Sequence, residues 1–243
     1  MHDTALAAGA AFFETYATRP GLEIVEVGAR DVGVGALRAA APAHAGRYIG
    51  LDLEAGPNVD LVLPDPHSFP LPDAAADIVL SSSCMEHDGM FWLTFIEMAR
   101  ITRPGGHIYI NAPSNGAVHR YPQDCWRFYP DSGLALEAWA RRQGQPVLLL
   151  EAMTLRRRRD IWNDCVLVFR REPGPEPALP PRTLADRFPD AMHVRLHGHP
   201  ALRNAAPLTE DMSIIRQLVA KLRSFAQPPR AARVDTPGSA PRG

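Results

Sequence analysis

Two acidic side chains stand near the ends of two apolar segments in the first quarter of the chain. Glu26 lies in EIVEV and Asp52 closes RYIGLD, and the β-branched and aliphatic residues of both segments favour buried parallel strands. Gly28 begins a tight turn after the first segment, and Gly33 opens the next turn. Because parallel strands present their carboxyl ends at one edge, we expect both carboxylates to flank one cleft, where they can bind ribose hydroxyls or, through water, an amine. The alternative is that each acid only ends a strand or caps a turn.

A second set of chemically capable residues lies in the run HRYPQDCWRFYP, residues 119–130. His119 is a candidate general base, and Asp124 can orient its imidazole and raise its basicity. In the alternative interpretation, Asp124 pairs with Arg127 or caps a turn, and His119 is merely exposed. The predicted substrate-binding residues of this run are Tyr121, Trp126, Arg127 and Tyr129. Aromatic residues at this density can line a substrate pocket or stack on a sugar face, but they also form small satellite cores.

The spacing of apolar residues predicts the elements that position these side chains. Strands are predicted at residues 23–27, 47–53, 59–63, 77–82, 107–111, 146–152 and 164–170, and helices at 5–17, 35–41, 91–101 and 131–143. Asp131 is the predicted cap of the last helix, and Gly144 ends it. The segment between the last two strands is too short for a crossover helix, so those strands should pair antiparallel. The sequence therefore predicts an α/β, Rossmann-like, seven-stranded mixed sheet with helices on both faces.

The composition changes after this region. Residues 1–172 are predicted to form the domain, and the proline-rich residues 173–182 a linker. Residues 183–226 are predicted to be a helical extension, with an amphipathic helix over 210–225, and residues 227–243 a disordered tail. The apolar face of that helix is expected to dock on its own domain, to form a homodimer contact or to cover the substrate pocket.

Composition excludes several classes of protein. The 243 residues carry a net charge of −1, so no overall field draws the chain to nucleic acid or to an anionic membrane. No apolar run approaches the ~20 residues of a membrane span, and no signal peptide is evident. The three cysteines form no CxxC pair, and His193, His197 and His199 lack a nearby cysteine or carboxylate, so we expect no metal site. A cytoplasmic protein is the expectation.

Four segments together resemble class I S-adenosylmethionine-dependent methyltransferases. They are EVGARDVG (26–33), YIGLDLEAGPNVDLV (48–62), LPDPHSFPLPDAAADIVLSSSCMEH (63–87) and FIEMARITRPGGHIYINAP (95–113). The first is similar to the family's cofactor loop, E/D-x-G-x-G-x-G, although Arg30 and Val32 replace its second and third glycines and Gly33 comes one place late. The resemblance covers roughly residues 20–171 and implies S-adenosylmethionine as cofactor and S-adenosylhomocysteine as product.

The resemblance also implies positions for the cofactor. Asp52 would hold the ribose hydroxyls, Asp65 would lie beside the adenine amino group, and the serines after the fourth strand would pass the methionine end. The implied cofactor-binding residues are Glu26, Gly28, Ala29, Arg30, Gly33, Asp52, Leu53, Asp65, Pro66, His67, Ser82, Ser83 and His87.

A narrower resemblance concerns the acceptor. The run from residue 119 is similar to an H-x-x-P-x-D-x-W-R-F segment of methyltransferases from bacterial polysaccharide and secondary-metabolite gene clusters. It implies methyl transfer to a hydroxyl of a sugar, a glycan or a small metabolite. Two alternatives stay open: a nicotinamide-dependent Rossmann oxidoreductase, which Gly28 and Asp52 alone would permit, and a catalytically silent methyltransferase-like module that binds partners through its tail.

Overall fold

The computed structural model describes residues 3–33, 35–176 and 178–226. The chain divides into a first unit that ends at Ala206 and a second that begins at Pro207. The strands of the first unit are β1 (Glu23–Val27), β2 (Arg47–Asp52), β3 (Leu61–Val62), β4 (Ala76–Ser82), β5 (Thr102–Pro113), β6 (Val147–Thr154), β7 (Asp164–Arg171) and β8 (Met192–Leu196). Its helices are α1 (Asp3–Tyr16), α2 (Phe91–Ile101) and α3 (Ser132–Arg142), with short 3-10 helices at Leu37–Ala40 and Ala185–Arg187.

All eight strands form one sheet in the order β3-β2-β1-β4-β5-β7-β6-β8. The first five are parallel, as near-continuous apolar runs favour, and the order reverses between β1 and β4. Ile24 pairs with Tyr48 on one side and Ile78 on the other, which makes β1 a central strand. The α/β Rossmann-like fold predicted from the sequence is therefore confirmed.

The other edge of the sheet is antiparallel. β7 pairs antiparallel with both β5 and β6, so the predicted antiparallel hairpin of the last two predicted strands is confirmed. The strand count differs from the prediction, because β8 adds an eighth strand beside β6. This strand comes from residues that the sequence assigned to the helical extension. The first unit thus includes β8 and the proline-rich segment in addition to residues 1–172.

Helices cover both faces of the sheet, as predicted. On one face α2 and α3 pack on the strands through a cluster that includes Val25, Val79, Phe95, Ile108 and Leu136. On the other face α1 and both 3-10 helices pack through a cluster that includes Phe12, Ile24, Leu37, Tyr109 and Leu184. Burial on both faces explains why the central strands carry so few polar residues.

Three local predictions needed correction. The helix predicted over 35–41 is only the 3-10 helix Leu37–Ala40. Asp131 does not cap α3 through its side chain, because it has helical dihedral angles and its carboxylate pairs with Arg195 instead. β5 begins at Thr102 rather than at 107, since Thr102 pairs with Ala76 and a register shift then accommodates the Pro-Gly-Gly turn.

The second unit contains α4 (Glu210–Ala226), close to the predicted amphipathic helix. Residues 227–243, predicted to be disordered, lie outside the described residues. Docking of α4 and a homodimer both stay predictions. In the part of the chain that the structure describes, no helix combines the length and apolar character needed to cross a bilayer.

Candidate functional site

The reversal of strand order between β1 and β4 places the candidate site. The loops after these two strands lie at the carboxyl ends of the sheet, where open α/β sheets usually hold their ligand in a crevice. A Cβ on Gly28, in the first loop, would lie 2.5 Å from both Cβ and Sγ of Cys84, in the second loop. Gly28 also has φ +76°, and its N–H donates to the carbonyl oxygen of Leu51 at 2.9 Å. The two loops therefore meet at a position that only glycine fills without strain.

Asp52 ends β2 beside this crevice, and backbone groups fix its carboxylate. The N–H of Arg30 donates to its Oδ2 at 3.0 Å, and the N–H of Glu54 donates to its Oδ1 at 3.3 Å. Each carboxylate oxygen has two lone pairs, so each keeps one for a ligand hydroxyl. Asp52 is thus an anchored acceptor that joins the end of β2 to the loop after β1.

The loop after β1 is ordered by one acidic side chain. Oδ1 of Asp31 accepts hydrogen bonds from the N–H groups of Gly33, at 2.8 Å, and Gly35, at 3.2 Å. Gly33 adopts φ +92°, which explains why a glycine appears one place later than the family pattern has it. The guanidinium of Arg30 pairs with Glu54 at the surface.

Glu26 lies beneath the crevice and is almost completely buried, with 1% of its surface exposed. The hydroxyl of Tyr48 donates to its Oε2 at 2.8 Å. Burial raises the pKa of Glu26 to about 7; the Tyr48 hydrogen bond and the charge of Arg38 oppose the shift, and the charge of Asp52 adds to it. The two predicted acids are therefore electrostatic neighbours, while direct cofactor binding by Glu26 stays a prediction.

Glu26→Gln should flatten the pH dependence of stability between about pH 4.5 and 7. The pKa of Glu26 is raised from 4.5 to about 7 on folding, so its stabilising contribution is complete below 4.5 and is lost as the pH rises through 7. The loss reaches about 3 kcal/mol. Urea unfolding across this pH range measures it, with Glu54→Gln as the exposed-acid control. Parallel curves for wild type and Glu26→Gln would contradict a proton held at Glu26.

The predicted adenine-side residues form a turn after β3. Oδ1 of Asp65 accepts the N–H of His67 at 2.8 Å, and the ring Nε2 of His67 lies 3.1 Å from Oδ1 of Asp88. Leu53 and Asp65 are exposed, and Pro66 is half-buried. Asp65 therefore orders this turn through Oδ1 while its side chain stays 60% exposed, and its contact with adenine stays a prediction.

Polar groups at the ends of β4 and β5 remain unsatisfied. Ser82 Oγ lies 3.5 Å from Asn111 Oδ1, and the N–H of Ser83 donates to the carbonyl oxygen of Asn111 at 3.0 Å. Ser83 has φ +51°, which turns the chain sharply out of the strand. Within the described residues, Ser83 Oγ and Asn111 Nδ2 are buried without a hydrogen-bond partner. Buried polar groups usually have a hydrogen-bond partner, so these two are available to hydrogen-bond a polar ligand.

His119 and Asp124 are close together, but not as a simple catalytic pair. Asp124 Oδ2 accepts the backbone N–H of His119 at 2.8 Å and lies 3.4 Å from its Nδ1. Both oxygens of Asp124 also bind Arg127, at 2.5 and 2.8 Å, and this pairing holds the pKa of Asp124 well below its usual range. The structure therefore contains the Asp124–Arg127 pair of the alternative interpretation, together with an Asp124 that fixes the position of His119.

Glu86 and His87 face His119 from the loop after β4. Nε2 of His87 lies 3.6 Å from Oε1 of Glu86, and Nε2 of His119 lies 4.0 Å from the same oxygen. The Glu86 side chain is fully buried, and burial raises its pKa to about 8. Burial also lowers the pKa of His87, although its contact with the carbonyl of Gln123 opposes the shift.

The aromatic residues of the 119–130 run behave in two ways. Trp126 packs edge-on against Phe91, with ring centroids 5.5 Å apart, and its Nε1 donates to the carbonyl oxygen of Asp88 at 2.8 Å. Phe128 is buried beneath it, at 4.9 Å from Phe91. Tyr121 and Tyr129 are exposed. The inner rings thus form the satellite core, and the outer rings are free for a substrate.

Sequence reasoning missed three residues at this site: Glu86, Asp88 and Asn111. The acid-histidine-acid triplet Glu86-His87-Asp88 directly after the fourth strand was the available signal. The contacts that bring them to the site join residues far apart in sequence, His67 with Asp88, Ser82 with Asn111 and Glu86 with His119, so spacing alone could not reveal them. A separate depression of about 450 Å³ lies along α3 and contains none of the predicted residues.

Comparison with known proteins agrees with this geometry. Residues 25–110 match the family model of a methyltransferase domain. Comparison with curated proteins finds no match. The matched region runs from β1 into β5 and so contains both loops of the crevice.

Solved structures share the fold at low identity. A 1,6-didemethyltoxoflavin-N1-methyltransferase of Burkholderia thailandensis, solved with 1,6-didemethyltoxoflavin and S-adenosylhomocysteine, has a TM-score of 0.53 and 16% identity over 70% of this chain and 79% of its own. A putative methyltransferase in complex with the Trm112 activator of Haloferax volcanii has a TM-score of 0.51 and 18% identity over 69% and 88%. The [4+2]-cyclase SpnF has a TM-score of 0.50 and 15% identity over 68% and 81%. The chain therefore shares the Rossmann-like α/β fold of these solved methyltransferases and of the cyclase.

Proposed function

We propose that this chain transfers the methyl group of S-adenosylmethionine to a hydroxyl of a small acceptor of the sugar, glycan or secondary-metabolite class. The observation that carries the proposal is Asp52, an anchored carboxylate at the crevice where the strand order reverses, beside the Gly28 turn. The match of residues 25–110 to a methyltransferase domain supports it.

The residues present fit this cofactor. The carboxylate of Asp52 has free lone pairs for two ribose hydroxyls, and the N–H groups of Gly28 and Ala29 donate to the carbonyl oxygen of Leu51, which holds the glycine turn beside it. The unsatisfied Ser83 Oγ suits the polar methionine end. On this proposal Leu53, Asp65, Pro66 and His67 lie against adenine, Ser82 and His87 lie beside the methionine end, and Glu26, Arg30 and Gly33 support the loop.

Methyl transfer mainly requires that the cofactor and the acceptor are aligned. When bound, the cofactor supplies a methyl group on a positively charged sulfur, and the acceptor oxygen must attack in line with the breaking C–S bond. A hydroxyl must also lose its proton. We place that step at the cluster of Glu86, His87 and His119, where His119 is the predicted base and Asp124 fixes its position.

The acceptor is proposed to enter beside the 119–130 run. Exposed Tyr121 and Tyr129 offer ring faces on which a sugar can stack, and the Tyr121 ring centroid lies 6.0 Å from that of His87 in the cluster. Trp126 is also partly exposed. Arg127 is held by Asp124, so we assign it to shaping this surface. A hydroxyl acceptor is favoured because imidazole groups lie where a proton must be removed.

A thermal-shift comparison of ligands tests the proposal. S-adenosylhomocysteine at about 100 times its Kd should stabilise the protein by about 2.7 kcal/mol, which is a rise in Tm of several degrees. NAD and NADP at equal concentration should have no effect. A larger rise with a dinucleotide would overturn the proposal in favour of an oxidoreductase. S-adenosylhomocysteine binding without turnover on panels of sugars and hydroxylated metabolites would favour a silent binding module.

A further inference from the structure

The carboxylate of Glu86 is buried in an unusual state. Its side chain is fully buried, yet neither of its oxygens accepts a hydrogen bond from another residue in the described chain. Leaving a buried carboxylate unpaired is strongly unfavourable unless another group compensates it. The Nε2 atoms of His87 and His119 face its Oε1 at 3.6 and 4.0 Å, which is too far for hydrogen bonds.

His87 and His119 both point Nε2 toward the Glu86 carboxylate. Nδ1 of His87 lies 2.5 Å from the carbonyl oxygen of Gln123, and Nδ1 of His119 lies 3.3 Å from the carbonyl oxygen of Ala117. A carbonyl only accepts, so a neutral ring carries its proton on Nδ1 and has a lone pair on Nε2. Two lone pairs and one unpaired carboxylate oxygen therefore converge, with ligand atoms within 4.8 Å of one another.

We propose that Glu86, His87 and His119 form a binding site for one divalent transition-metal ion. Two imidazoles and a carboxylate are a ligand set that zinc and related ions use in open sites. Bonds of about 2.1 Å place tetrahedral ligand atoms about 3.4 Å apart. The Nε2 atoms at 3.6 and 4.0 Å from Glu86 Oε1 therefore need to move closer by a few tenths of an ångström, and the widest separation, at most 4.8 Å, must shorten more. Among the residues that the structure describes, no other trio of His, Cys, Asp or Glu has this arrangement.

The surrounding backbone is organised as metal sites require. The side-chain amide of Gln123 donates to the backbone carbonyl oxygen of His87 at 2.8 Å. The backbone carbonyl oxygen of Gln123 accepts from Nδ1 of the His87 ring, so Gln123 fixes both the backbone and the side chain of this histidine. The N–H of Cys125 donates to the carbonyl oxygen of Glu86 at 2.7 Å. Such outer contacts orient ligands and raise metal affinity. They also fasten the 119–130 run to the loop after β4.

The site lies between the cofactor crevice and the acceptor surface. Glu86 is two residues beyond Cys84, which touches Gly28, and His119 begins the aromatic run. The ion would have open positions, because only three protein ligands reach it. Resting on the proposed function, we assign one open position to the acceptor hydroxyl, which the ion polarises toward deprotonation. His119 would then act as a ligand rather than as a base: the polarised hydroxyl would release its proton to solvent water as its oxygen takes the methyl group and S-adenosylhomocysteine leaves as the neutral thioether.

Titration of the metal-free full chain with ZnCl2 by calorimetry tests the site. We expect one ion per chain, with affinity at least about tenfold weaker in Glu86→Gln and in His119→Ala. His199→Ala is the matched control, because this histidine is exposed and outside the trio, and its affinity should equal that of wild type. Circular dichroism of each variant checks the fold; His119→Ala alters a loop side chain and provides the test if Glu86→Gln does not fold.

Equal zinc binding by wild type, Glu86→Gln and His119→Ala, or no binding by wild type, would overturn the metal site. Binding of S-adenosylhomocysteine, measured on the same metal-free samples, separates this result from the proposed function. Retained nucleoside binding without a zinc site removes only the metal inference. Loss of both removes the proposed function as well.

Discussion

Asp52→Ala is expected to weaken the binding of S-adenosylhomocysteine at least about 100-fold. Two ribose hydroxyls lose a charged acceptor, and hydrogen bonds to charged groups contribute about 1.5–3 kcal/mol each. The backbone N–H groups of Arg30 and Glu54 also lose their acceptor, which should loosen the loop proposed to contact the nucleoside. Calorimetric titration of both proteins measures the ratio of the two Kd values.

Two further variants separate ligand contact from loop order. Asp52→Asn keeps one carbonyl oxygen and should fall between wild type and alanine. Glu54→Ala removes the ion-pair partner of Arg30 but leaves the Asp52 carboxylate, so its Kd should stay within about twofold of wild type, as for most exposed ion pairs. An unchanged Kd for Asp52→Ala would refute the assignment of this residue to the ribose.

Elements with a strong apolar period were predictable, and short or irregular ones were not. The bounds of β1 and α2 agree with the sequence prediction. Each is an apolar segment with a regular spacing, and turn-forming residues lie close to its ends. β8 was missed because it is a five-residue edge strand with two polar positions, in a segment bounded by turns. Its residue His193 has φ +53°, a conformation that no strand pattern suggests. Such a strand is specified by pairing with β6 rather than by its own sequence.

The site residues also divide into those that the sequence could predict and those that it could not. Gly28 and Asp52 could be found because each lies at a fixed offset from the end of a strand. The partners of His119 could not, because Glu86 lies 33 positions earlier and meets it only when the loops after β4 and β5 fold together. Asp124 shows the limit of spacing arguments: its proximity to both His119 and Arg127 was evident, but its bidentate pairing with Arg127 required the structure.

The fold alone leaves the reaction open. Proteins named as an N-methyltransferase and as a [4+2]-cyclase share it with this chain. Chemistry must therefore come from side chains on the loops rather than from the sheet. In this chain the loop after β5 supplies His119 and the aromatic residues, and it is fastened to Glu86 and His87 by backbone hydrogen bonds. Substitutions in that loop are the ones that should change the acceptor without changing the cofactor.

Gly28→Ala is expected to reduce the free energy of unfolding by about 3 kcal/mol and to weaken S-adenosylhomocysteine binding. A non-glycine residue at φ +76° costs about 1–2 kcal/mol, and the new methyl group overlaps both Cβ and Sγ of Cys84. Rotating the Cys84 side chain moves Sγ but not Cβ, so the overlap persists and adds about 1–3 kcal/mol. Urea unfolding and calorimetric titration measure the two effects.

Gly144→Ala is the matched control, because this glycine follows α3 with φ +72° and has no atom within 4 Å of the position of a Cβ. It should show the backbone strain alone, about 1 kcal/mol, with unchanged nucleoside affinity. The difference between the two variants then measures the contact between the loops after β1 and β4. Equal destabilisation would mean that the loops do not touch. A destabilised Gly28→Ala with wild-type affinity would mean that the glycine serves the fold and not the cofactor, because the nucleoside would then not require close approach of this backbone.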